Sequence, residues 1–179
     1  MNTIKRITPV ALFVGFLACS AQFFDMLCHG LFPPAGNLGF TCIIFLGWPT
    51  YFMSGCTPRD GLRCFVAFIA GILAGIVIFK IGGLFGFAGG FAAVPAVFIV
   101  AWLLFYYELG PGLFNHLAAC YISCGTFFMF MSYVPGATIP TAFFTEMVYL
   151  TLGLFYGWLT IAFRQWWEAR QAAETAGAQ

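Results

Sequence analysis

Asp25 and His29 stand four residues apart in an otherwise apolar stretch, and Glu146 stands alone in another. An ionisable side chain within a membrane costs about 2.5–3.5 kcal/mol on insertion scales, so each of these is a functional candidate. The spacing of Asp25 and His29 puts both on one helical face. Together with Glu146 they could form an outer vestibule, the carboxylates drawing in a cation and the imidazole titrating near neutrality. The plainer alternative is that all three reach water at helix ends. A second set could line a path: Trp48, Tyr51, Ser54, His116, Thr126 and Ser132. A pore selects by its width and by a few hydrogen-bonding groups, which these residues supply. His116 equally suits a bond to a backbone carbonyl, and Thr126 a bond between helices.

Other chemistry is sparse. None of the 7 cysteines forms a Cys-x-x-Cys pair. Most sit in apolar runs, where a free thiol behaves as a small hydrophobe. Cys120 and Cys124 lie one helical turn apart, but a metal would need further ligands, and His116 is the only nearby candidate. There is no His-Glu-x-x-His motif, no Gly-x-Ser-x-Gly elbow and no phosphate loop. No pair of carboxylates is expected deep in a span. We therefore expect no enzyme, no metal and no cofactor.

The elements that must position these residues follow from composition. Hydrophobic residues make up 62% of the chain and charged residues 7%, far below the share that keeps a soluble domain dispersed. With 24 Phe against 7 Tyr and 5 Trp, the aromatic surface suits lipid and helix packing. A net charge of +1 offers no basic stripe for nucleic acid. A span needs about 20 apolar residues. Six stretches approach that length: 8–28, 38–56, 63–82, 86–107, 113–133 and 142–163. Gly and Pro clusters interrupt them, at Pro33-Pro34, Pro58, Gly82-Gly83, Gly110-Pro111 and Pro135-Gly136. The expected fold is an all-α integral membrane protein of about six transmembrane helices. Residues 1–7 form a cytoplasmic N-terminus, 8–163 the transmembrane domain and 164–179 a cytoplasmic tail, which frays into disorder after Arg170.

Lys5, Arg6, Arg59, Arg63, Arg164 and Arg170 fall on one side of this arrangement and only Lys80 on the other. By the positive-inside rule both termini are then cytoplasmic. Phe52-Met53-Ser54 and Phe130-Met131-Ser132 end the middle helix of each three-helix half, a hint of two inverted repeats. Gly71-x-x-x-Gly75 and Gly82-x-x-x-Gly86-x-x-x-Gly90 are spaced for close helix approach. Pro49 and Pro95 fall within spans, where each frees a carbonyl.

Three segments carry a resemblance. Phe45-Leu46-Gly47-Trp48-Pro49-Thr50-Tyr51-Phe52 is followed by Gly55 and Gly61. Ser132-Tyr133-Val134-Pro135-Gly136 ends the fifth stretch, and Leu152-Gly153-Leu154-Phe155-Tyr156-Gly157-Trp158 lies in the sixth. Together they resemble the bacterial inner-membrane proteins of domain of unknown function family 1097, over residues 45–159. The resemblance implies a multi-pass location in the bacterial inner membrane and no catalytic residues. The functional expectation is a channel or transporter for a small, mostly uncharged solute. Its partners would be the lipid bilayer, that solute and further copies in a homo-oligomer. The alternative is a non-transporting subunit that scaffolds or regulates a partner complex.

Overall fold

The first helix, α1 (Thr3–Cys28), opens a chain in which every regular element is helical among the described residues; the computed structural model describes residues 3–176. It is followed by α2 (Thr41–Met53), α3 (Pro58–Leu84), α4 (Ala93–Phe105), α5 (Leu117–Tyr133) and α6 (Ile139–Ala176), with 3-10 turns at His29–Leu31, Gly86–Phe91 and Tyr106–Leu109. Local chemistry explains several boundaries. Thr57 caps α3, its hydroxyl accepting from Asp60 N at 3.2 Å, and Pro58 occupies the first turn, where no amide donor is needed. His116 caps α5, its Nδ1 accepting from Ala119 N at 3.2 Å. Before α2, the Asn37 amide lies within 3.0 Å of the carbonyls of His29, Phe32 and Pro34, and its Oδ1 accepts from Gly39 N at 2.9 Å.

A helix lies at each of the six expected positions, but lengths differ from expectation. Three helical segments are long and apolar enough to cross a membrane: Ile4–Leu31, Pro58–Leu84 and Ile139–Ala176. Three more are apolar but shorter: Thr41–Met53, Ala93–Leu109 and Leu117–Tyr133. These helices mark the chain as a membrane protein. The fourth stretch does not begin as an α-helix at residue 86, because Gly89 adopts φ 57° inside a 3-10 segment. The tail does not fray at Arg170: α6 stays helical to Ala176, supported by Arg164–Glu168 and Arg170–Glu174 pairs one turn apart, at 2.9 and 3.2 Å. Pro95 sits in the first turn of α4 and so costs that helix no internal bond.

Two helix pairs organise the core. In the first, α2 lies along α6, with Gly47, Gly153 and Gly157 at the seam. A methyl on Gly153 would strike the Ile44 carbonyl oxygen, and one on Gly157 would lie 2.6 Å from Tyr51 Cβ. In the second, α3 lies along α5: a methyl on Gly71 would strike the Cys120 carbonyl oxygen, and one on Gly75 would lie 2.7 Å from the Phe127 ring. In both pairs, numbers rise together along the seam, so the paired helices run parallel. The glycine spacing of α3 thus packs as expected. That of Gly86 and Gly90 does not, for a methyl at either would meet nothing within 4 Å.

α1 runs antiparallel to α6. Phe13 stacks on Phe163 at 4.1 Å, Ser20 Oγ lies 3.1 Å from Tyr156 OH, and Asp25 meets Tyr149. One end of the bundle therefore gathers the start of α1, the α2–α3 turn, the α4–α5 loop and the end of α6. There Trp167 Nε1 donates to the Arg6 carbonyl at 3.0 Å, and Arg63 donates to Asn115 Oδ1 at 2.7 Å. The opposite end gathers the end of α1 and the starts of α2 and α6. The outer surface carries large exposed apolar side chains, among them Phe16, Phe23, Leu73, Phe98 and Phe155. Helices apolar on both faces suit a lipid surround.

Candidate functional site

The chemistry concentrates at that opposite end. Asp25, in the last turn of α1, is only 3% exposed. A buried carboxylate needs donors, and the N-terminus of α2 supplies them. Phe40 N donates to Oδ2 at 2.9 Å and Thr41 N at 3.0 Å; Thr41 Oγ1 donates to Oδ2 at 2.5 Å. From α6, Tyr149 OH donates to Oδ1 at 2.6 Å. Unpaired amides at a helix N-terminus attract an anion, so the carboxylate serves as the cap that Phe40 cannot provide. Gly39 makes the approach feasible. It holds φ 95°, and a methyl there would collide with Asp25 Oδ2.

The tyrosine is held by aromatic neighbours. Phe40 and Phe32 contact its ring edge-on at 5.5 and 5.1 Å, and Phe40 stacks on Phe130 of α5 at 4.9 Å. One turn before Tyr149 lies Glu146, which is fully buried. Its Oε2 lies 3.1 Å from Thr126 Oγ1, which also lies 3.0 Å from the Ser123 carbonyl oxygen; its Oε1 has no partner. Immediately before Glu146, Thr145 donates to the Pro33 carbonyl at 2.8 Å and ties the α1–α2 loop to α6.

The residues expected to form a vestibule thus do gather at one end, but within protein rather than at water. Asp25 and Glu146 are both buried, near the end of α1 and the start of α6, and each has its own partners rather than the other. His29 begins the 3-10 turn after α1, half-buried, its Nδ1 without a hydrogen-bond partner. The six path candidates are dispersed. Trp48 of α2 is buried against α6, donating to Thr160 Oγ1 at 3.1 Å, and Tyr51 donates to the Cys56 carbonyl at 3.1 Å. Ser54 donates to the Thr50 carbonyl and lies 2.8 Å from Cys64 Sγ. His116 accepts a backbone amide rather than donating to a carbonyl. Ser132 is exposed near the end of α5. Only Thr126 joins the Glu146 site.

Residues that sequence reasoning missed are Gly39, Thr41 and Tyr149. The signal available was the Asn37-x-Gly39 turn placed directly before a polar helix start. Beside the site, a cleft of about 430 Å³ is lined by Asn37, Phe40, Cys42, Met129, Tyr133 and Pro135. A larger lateral groove of about 690 Å³ is almost wholly apolar and is walled by Phe24, Phe65, Phe144, Val148 and Phe155. Among the described residues, no group of three or more His, Cys, Asp or Glu side chains comes together to hold a metal.

A family model described as "Protein of unknown function (DUF1097)" matches residues 11–165. No curated protein and no solved structure matches the chain.

Proposed function

The chain belongs to the DUF1097 family of proteins of unknown function, and we propose that it is an inner-membrane channel or transporter for a small, mostly uncharged solute. The observation that carries this reading is the matching of the two helix pairs. One shift in number takes Ile44 to Cys120 and Tyr51 to Phe127; one other shift takes Gly71 to Gly153 and Gly75 to Gly157. The contacts of α2 with α6 thus recur between α5 and α3, the pattern of two halves of opposite orientation. The Phe-Met-Ser triplets are related by a different shift, so they do not occupy matching positions.

In this reading all six helices cross the membrane, and both termini are cytoplasmic. The short α2 and α5 are the middle helices of the two halves, and each is entered through a loop rich in glycine and asparagine. Irregular backbone at membrane depth is tolerated where protein or a water-filled cavity surrounds it. The cleft beside α2 is the proposed mouth. Its few polar groups suit a solute with little charge. We assign no catalysis and no resident cofactor.

Stopped-flow light scattering on proteoliposomes tests the proposal, with water, urea, glycerol, ammonia and short-chain acids as solutes. Selective acceleration of one solute over empty liposomes is expected. A flat series with insertion confirmed would sink it. The lateral groove favours the second reading, a non-transporting subunit; a different protein co-purifying in fixed stoichiometry would support that instead.

A further inference from the structure

The two buried carboxyls have opposite surroundings. Asp25 faces only donors: two backbone amides, a threonine hydroxyl and a tyrosine hydroxyl. An ionised carboxylate accepts only, so Asp25 is satisfied as the anion. Glu146 has a single hydroxyl neighbour on Oε2 and nothing on Oε1. The Thr126 hydroxyl has one proton and two oxygens within reach, Ser123 O and Glu146 Oε2. Both contacts are hydrogen bonds at once if Thr126 donates to Ser123 O and the carboxyl itself carries a proton and donates to Thr126. As an anion, Glu146 would be buried with at most one donor, an arrangement that proteins avoid.

No cation relieves it. On α6 the neighbour is Tyr149, already committed to Asp25. α2 and α5 carry no Lys, Arg or His within their helical spans. α3 has no ionisable side chain between Cys64 and Lys80, and Lys80 is exposed; α1 brings Asp25, itself an anion, and His29 in the turn after it forms no ion pair with Glu146. All three ion pairs among the described residues lie elsewhere.

We propose that Glu146 is a proton-binding site inside the bundle, loaded in this conformation and emptied when water reaches it from the cleft beside α2. On release the proton passes from Oε2 to water and a carboxylate remains, which water must then solvate. α5 connects the two regions, since Phe130 lines that cleft and Thr126, one turn earlier, meets Glu146. Resting on the transport reading, this site is where a proton gradient would act on solute movement.

Infrared difference spectra of the purified protein, recorded as pH is raised from neutral, provide the test. A carbonyl band of a protonated carboxylic acid is expected at neutral pH, fading reversibly with alkali. It should be lost in Glu146→Gln and kept in Asp25→Asn. Absence of the band from the wild-type protein, or its persistence in Glu146→Gln, overturns the proposal. If Glu146→Gln does not fold, Thr126→Val takes its place: loss of the hydroxyl partner must shift the band, and an unshifted band overturns the proposal. The spectra need no solute. A flat scattering series beside a positive titration removes transport and keeps the proton site; a positive series beside an absent band does the reverse.

Discussion

Asp25 accepts from α2 and α6 together, so its replacement should be felt beyond α1. Asn at that position keeps the shape but turns an amide toward donors. Leaving buried donors unmatched costs about 1–3 kcal/mol, whereas a single neutral hydrogen bond is worth roughly 1 kcal/mol. Asp25→Asn should therefore lower the melting temperature in detergent clearly more than Tyr149→Phe, which deletes one hydroxyl. Equal shifts would show that the amides of Phe40 and Thr41 find other acceptors. Gly39→Ala should also destabilise, by about 1–3 kcal/mol for a strained backbone alone, and the same thermal measurement checks it. At this scale the sequence was half legible. It marked Asp25 and Glu146, because charge in an apolar run is costly wherever it lies. It could not tell burial from interfacial hydration, because that depends on Thr41 and Tyr149 arriving from distant parts of the chain. Thr126 was legible only as a polar group in a helix; its meeting with Glu146 depends on how α5 and α6 pack.

Among elements, the glycine seams make a sharp contrast. Leu in place of Gly153 or Gly71 would place a side chain where a carbonyl of the facing helix already lies. Overpacking typically costs about 1–3 kcal/mol, and more where backbone is struck. Either variant should elute as an aggregated or heterogeneous species on size exclusion. Gly83→Ala and Gly125→Ala should elute like the wild type, since a methyl at those positions meets nothing within 4 Å. The Gly71 seam could be read from spacing because it lies in a continuous helix. The Gly86 and Gly90 spacing misled because it presumes 3.6 residues per turn, and the chain there is 3-10 with Gly89 at φ 57°. Helix positions were legible from hydropathy, but boundaries were not. Residues 38–40 are apolar yet non-helical, with the Phe40 amide turned to Asp25, and residues after 163 are polar yet helical through paired charges.

Across the whole molecule, basic residues and contacts agree on two ends. Arg6 and Trp167 meet at one, and Arg63 and Asn115 meet there as well. Under the orientation we propose, reporters fused at either terminus should both read as cytoplasmic, and a single cysteine beside Lys80 should label from outside. Labelling of that cysteine only after permeabilisation would reverse the assignment. The length of α6 has a consequence of its own. At about 1.5 Å per residue, its 38 residues extend far beyond a hydrocarbon core about 30 Å thick. In the orientation we propose, the surplus stands outside the hydrocarbon as a mast, stayed to Arg6 by Trp167. Because the rod is unbroken, a turn or pull on the mast would be delivered to Glu146 and Tyr149 near its far end. A force applied at residues 164–176 would therefore act as a tiller on the buried carboxyls.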